Sequence, residues 1–183
     1  FAVQPVPGGV FVSFRDHGVV ERLGFDGSRV VIDPTDLDLP AWEGQRASGL
    51  PARTAYPEEL GLDPTGRVHA FIELPGDDPA MALILLDGAT GAVLEARQGA
   101  GDCFVSSWVW SGDVALAGCE WNGRMLRFSP EQDLWFDPVP VGGGELEELA
   151  VDGVDGTLLT TGLWSSPWLR RLDPKTGKVL DRA

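Results

Sequence analysis

Carboxylates with the spacing to do chemistry recur in three short stretches of this chain: "RDHG" (15 to 18), "GDDP" (76 to 79) and "EWNG" (120 to 123). They supply Asp16, Asp77, Asp78 and Glu120, with Asn122 as a further oxygen donor. Hard oxygens brought together from several loops suit Ca²⁺ or Mg²⁺, which take six or more such ligands. Asp and Asn also favour turns for their own backbone reasons, so the same residues suit plain loops. His17 stands beside Asp16, a pairing suited to acid–base work. The other histidine, His69, falls inside an apolar run and reads as structural. Two histidines cannot build a multi-histidine metal centre. The chain has no Gly-x-Ser-x-Gly elbow, phosphate-binding glycine loop or cysteine pair at zinc spacing. Trp121 and Trp164, the latter in "WSSP" (164 to 167), offer aromatic walls for a small molecule or peptide, or packing surface.

These residues need elements to hold them, and the elements repeat. "ILLDGATGAVL" (84 to 94) and "RRLDPKTGKVL" (170 to 180) are near-copies, strand–turn–strand, with Asp173 lying 86 positions after Asp87. Midway stands "RFSPEQDLWF", with a turn expected at Ser129 to Gln132, and "RLGFDGSRVVI" near the start turns at Asp26-Gly27. Each hairpin is preceded by another, turning at Gly8-Gly9, Asp63 to Gly66, Ser111-Gly112 and Asp155-Gly156. A strand-only repeat of about 40 to 50 residues is the signature of a β-propeller, one four-stranded blade per repeat. The expected fold is therefore all-β: four four-stranded antiparallel blades, at about 1–33, 54–98, 101–139 and 144–183, with an insertion loop at 34–53. The carboxylate stretches then fall between the second and third strands of successive blades, at one end of the fold. A β-sandwich, the competing architecture, does not require a turn recurring at fixed phase.

The second strand of each unit is apolar on both faces: Val10 to Phe14, Val68 to Phe71, Val114 to Ala117, Leu158 and Leu159. A strand half in water alternates instead. Blades sandwiched between blades satisfy this pattern, and four blades read best as an arc of a larger ring. Further blades, or another copy of the chain, are the expected partners.

Composition narrows the partners. The 183 residues are 43% apolar, with 24 glycines and 14 prolines to punctuate short strands. A net charge of −14 repels phosphate backbones, which argues against nucleic acid. No apolar run reaches the roughly 18 residues of a membrane span. The chain begins at Phe1, without Met or a basic, hydrophobic leader, and reads as a processed chain or an excised segment. Cys103 and Cys119 flank the Ser111-Gly112 turn. A three-residue loop centred on Ser111 sets them opposite each other for a disulfide; a two-residue loop places them on opposite faces.

The hairpins "LDGATGAVL" and "LDPKTGKVL" resemble the repeat of quinoprotein-like and YVTN-type propellers. "LGLDPTGRVHAF" and "LAVDGVDGTLLTTG" are similar to blades of the gluconolactonase and streptogramin-lyase type. The stretch "GTLLTTGLWSSPWLRRLDPKTGKVL" resembles the first blade of plant-type glutaminyl-peptide cyclotransferases, through Thr161, Gly162, Leu163, Trp164 and the hairpin. The acidic residue of that family falls where this chain has Leu159, which cannot transfer a proton, and its Phe-Thr-Gln-Gly-Leu element is replaced by "LEELA" (146 to 150). The expectation is a noncatalytic recognition or scaffold segment of an extracytoplasmic (periplasmic or secreted) protein. The alternative is a lactonase, lyase or cyclotransferase-like enzyme using the loop carboxylates.

Overall fold

The computed structural model describes residues 1–40, 55–74, 80–98, 105–111, 114–119, 123–129, 134–135, 139–140, 146, 148–162 and 168–182. The elements within these residues are strands and two single turns of 3-10 helix. The chain divides into two compact units, Phe1–Asp102 and Cys103–Ala183.

The first unit holds two antiparallel four-stranded sheets, each in simple sequence order. One contains β1 (Val3–Val6), β2 (Gly9–Phe14), β3 (Val19–Gly24) and β4 (Arg29–Ile32). The other contains β5 (Tyr56–Leu62), β6 (Arg67–Leu74), β7 (Ala80–Asp87) and β8 (Val93–Gln98). They share one core, in which Phe11, Val20 and Ile32 of the first sheet join Val68, Ala70, Ile72, Ile84 and Leu86 of the second. At roughly 25 cal/mol per Å² of apolar surface removed from water, such burial is the main force holding the sheets together. The 34–53 insertion opens with a 3-10 turn, Pro34–Asp36, capped by Asp33 accepting from the Thr35 amide at 2.9 Å. It then drops Leu39 into that core, 1% exposed.

The second unit holds β9 (Val105–Ser111), β10 (Val114–Cys119) and β11 (Arg124–Ser129), with two short outer pieces, β12 (Leu134–Trp135) and β13 (Val139–Pro140), both paired to β11. Its other sheet runs β14 (Glu148–Val151), β15 (Leu158–Gly162), β16 (Trp168–Leu172) and β17 (Val179–Arg182). The sheets meet across Leu116 and Met125 on one side and Leu149, Leu158 and Leu172 on the other. Two serines of β9 reinforce the contact: Ser106 Oγ donates to the Leu146 carbonyl at 2.7 Å, and Ser107 Oγ accepts from the Leu149 amide at 2.8 Å.

The near-copy hairpins are copies in space too. Asp87 Oδ1 accepts from the Thr90 amide at 2.7 Å, and Asp173 Oδ1 from the Thr176 amide at 3.0 Å. Each turn closes with a glycine amide donating 2.8 Å to the aspartate carbonyl, from Gly91 and Gly177, both at positive φ. A bulge precedes each aspartate at the same phase, between Leu85 and Leu86 and between Arg171 and Leu172. The Asp-x-x-Thr-Gly pattern thus encodes a complete turn: side-chain acceptor, hydroxyl and left-handed closing residue.

Several turns differ from the sequence expectation by one or two positions. Gly9 pairs with Val6, so that turn is Pro7-Gly8. Ser111 pairs with Val114 and ends β9, where a turn at Ser111-Gly112 was expected. Ser129 pairs with Leu134 and belongs to β11. In each case the residue next to the tip gains ladder hydrogen bonds by joining the strand, and two or four residues suffice to reverse the chain. Burial also departs from the expected uniformity. β6 is buried on both faces along Val68 to Ile72, whereas β2 and β15 alternate buried with half-buried residues.

Candidate functional site

Of the residues expected at the shared end of the blades, Asp16 and His17 lie in the described structure. They occupy the 3-10 turn Arg15–His17 that leaves β2, and both are exposed. The turn is closed by Gly18, at φ 68°, whose amide donates to Phe14 O at 2.9 Å and Arg15 O at 3.2 Å. The His17 ring stands edge-on to Phe14, centroids 6.1 Å apart. Asp77, Asp78, Glu120, Trp121, Asn122, Trp164 and Cys103 lie outside the described residues. Among the described residues no three His, Cys, Asp or Glu side chains converge as a metal site.

The structure adds partners that the sequence did not single out. Arg15 reaches across to the neighbouring sheet, its Nε 3.0 Å from Glu58 Oε1 and its Nη2 3.8 Å from Glu73 Oε2. Its guanidinium carbon lies 5.9 Å from the centroid of the Tyr56 ring. Tyr56 begins β5 and pairs with Glu73 near the end of β6. Asp16 and His17 therefore adjoin the end of the second sheet from which the chain leaves β6 at Leu74. A cation held by two carboxylates over an aromatic face, with an exposed acid and imidazole beside it, can recognise a polar ligand.

A second polar cluster lies at the opposite end of the second sheet. Asp63, whose side chain is fully buried, accepts through Oδ1 from the Thr65 amide (2.8 Å), Thr65 hydroxyl (2.7 Å) and Arg67 amide (3.0 Å). Its Oδ2 meets Arg67 Nε at 2.7 Å and His69 Nε2 at 3.1 Å. Burial alone would raise this carboxyl's pKa. The hydrogen bonds from Thr65, the Arg67 amide, His69 and the Arg67 side chain outweigh it and hold the group far below the usual carboxylate range. Burial pushes the His69 imidazole down, against the opposing pull of Asp63. Within this cluster the Asp63 and His69 side chains are closed to solvent, while Thr65 is exposed and Arg67 partly so. Its signal was present: an aspartate at a turn, followed four and six positions on by a cation and an imidazole on one strand face.

Cys119 is buried and disulfide-bonded. It pairs across the ladder with Val105, after a register shift between Gly118 and Cys119. Neither register considered from the sequence, both centred on the Ser111-Gly112 turn, is the one observed.

The solved structures that match the whole of this chain include the following three. The hydrazine synthase of Kuenenia stuttgartiensis matches with a TM-score of 0.71 at 15% identity, over 48% of that chain. A chain of the mitotic checkpoint complex matches with a TM-score of 0.70 at 12% identity, over 50% of its length. A protein of unknown function from Bacteroides caccae matches with a TM-score of 0.65 at 10% identity, over 59%. Four-stranded antiparallel sheets in sequence order, matching propeller folds along the full chain, decide the architecture. These sheets are β-propeller blades. No family model and no curated protein matches the sequence. The chain spans between about half and three-fifths of these three matched chains. At identities this low the likeness carries the fold and leaves the chemistry to the chain's own residues.

Within the propeller frame, Arg15–Gly18 is a connection between the second and third strands of a blade, and Asp63 marks a connection between the first and second. They belong to opposite ends of the blades. Leu159, the position that aligned with an acidic residue, is half-buried on β15 between Ala150 and Arg171.

Proposed function

We propose that this chain is a noncatalytic recognition or scaffold segment of a larger extracytoplasmic propeller protein. One observation carries the reading: the described charged clusters are internally matched. Arg15 is held by Glu58 and Glu73, Glu21 by Arg29, Asp63 by Arg67 and His69, and Asp155 by Arg171. Catalytic groups need pKa values displaced toward the working pH. The shifted carboxyls Glu21, Asp26, Asp63, Asp87, Asp155 and Asp173 are all displaced downward, away from it. A surface of paired charges recognises by complementarity instead. The end bearing Arg15, Asp16, His17 and Tyr56 is the recognition face, with a peptide or small polar molecule as its ligand. One matched chain belongs to a protein complex, which supports protein partners.

A second reading keeps the loop carboxylates as an enzyme's. Asp16, Asp77, Asp78 and Glu120 recur at one phase in three successive blades, the placement a lactonase, lyase or cyclotransferase-like propeller would use with a bound divalent cation. Thermal melts with Ca²⁺, Mg²⁺ or EDTA separate the two, because an ion that binds the native state raises its melting temperature. An unchanged Tm, with no turnover of lactones or Gln-initiated peptides, is expected. A cation-dependent rise with turnover would replace the first reading with the second.

A further inference from the structure

The two faces of the first blade are covered unequally. Register places Phe11, Ser13, Val20 and Ile32 on one face, each at most 5% exposed, against the second blade. On the other face, Val12 stands between Val3 and Glu21, and Glu21 opposite Val31; Val10 stands opposite Leu23. Val3 and Val31 are 51% and 50% exposed, and Val10, Val12 and Leu23 are half-buried. An aliphatic sheet face of this kind is costly to leave in water.

We infer that this outward face of the first blade seats a further blade from the remainder of the same larger protein. The inference rests on the segment reading proposed above and names the surface where the segment joins the rest. Three observations favour a blade over other occupants. The reverse face of the same sheet, built of the same aliphatic residue types, is already covered by a blade. The charges near the centre of the open face are matched: Arg29 grips Glu21 through two hydrogen bonds, at 2.6 and 2.9 Å, in a chain whose net charge is −14. Charges about to lose water need such pairing; charges that stay wet do not. Finally, the two propeller chains matched by this one, of which it covers 48% and 50%, continue well past that span.

The test compares Val31→Cys in the 183-residue chain and in the protein encoded by its own gene, without reductant. Maleimide should label the thiol rapidly in the isolated chain and at least tenfold more slowly in the gene-encoded protein, with full labelling after denaturation. Val3→Cys, in the same cross-strand row, repeats the measurement should Val31→Cys fail to fold. Equal, rapid labelling in both proteins overturns the seat while leaving the segment reading intact. Slow labelling in the isolated chain, with a dimeric mass by light scattering, overturns it in favour of a second copy as occupant. A gene product no longer than 183 residues defeats the segment reading itself, and the seat with it.

Discussion

The carboxyl of Asp63 and the imidazole of His69 meet at 3.1 Å with neither side chain reaching solvent. Both groups bind protons less readily folded than free, His69 chiefly through burial and Asp63 through its donors. Each folded pKa lies below its unfolded value, so each contribution to stability is complete above that value and is lost as pH falls through the folded one. Urea denaturation should therefore show stability declining below pH 6.5, from His69, and again below 3.8, from Asp63. His69→Gln should flatten the upper limb only. A wild-type stability constant from pH 7.5 to 5 would contradict this.

Removing the carboxylate should cost more than any surface change. Asp63→Ala leaves Arg67 and His69 facing a buried gap and should lower stability by about 3 kcal/mol. Equilibrium urea unfolding at pH 7.5 measures it; a loss under about 1 kcal/mol would mean that water replaces the carboxylate freely.

Ser107 ties the inner strands of two blades by accepting from the Leu149 amide, within a buried setting. Ser107→Ala should cost about 1–2 kcal/mol, because the amide keeps its desolvation cost and loses its acceptor. Hydrogen exchange at Leu149 should accelerate in the same variant. Unchanged exchange there would show that the amide finds another partner.

Two glycines separate close approach from mere turn placement. A Cβ at Gly88 would lie 2.1 Å from the Gly66 carbonyl oxygen, backbone against backbone, whereas at Gly153 it would meet nothing within 4 Å. Gly88→Ala should lower the melting temperature by several degrees and Gly153→Ala should leave it within about a degree, since ~1 kcal/mol shifts Tm by roughly 2–4 °C at this size. Equal effects would refute the close packing of the two turns of the second blade.

Arg15 is more than half exposed, so its pairs with Glu58 and Glu73 should contribute less than about 1 kcal/mol. Arg15→Ala should lower stability by that little in low salt and by less in 1 M NaCl, where screening is nearly complete. If the recognition face is where we place it, the same variant weakens ligand binding far more than it weakens the fold.

Much of this architecture was readable along the chain because turns are local. The Asp-x-x-Thr-Gly hairpins announced themselves through residues within five positions of one another, and the structure reproduces both, bulge included. The turn tips at Gly9, Ser111 and Ser129 slipped by a residue or two, since ladder pairing with a distant strand, rather than local preference, sets where a strand ends. Arg15 escaped notice because its partners, Glu58 and Glu73, lie more than forty positions away across an insertion.

Sequence alone determined the repeat, the strand–turn grammar and hence the blade, through side-chain periodicity and short-range hydrogen bonding. Only the folded chain decided which faces are covered: Val10 to Phe14 and the pair Leu158 and Leu159 read as apolar on both faces, yet β2 and β15 are each sealed on one side. Burial is a property of what stands opposite, and no residue carries that in its own type. For the same reason His69 became half of a buried pair, while His17, next to an aspartate in sequence, remains exposed.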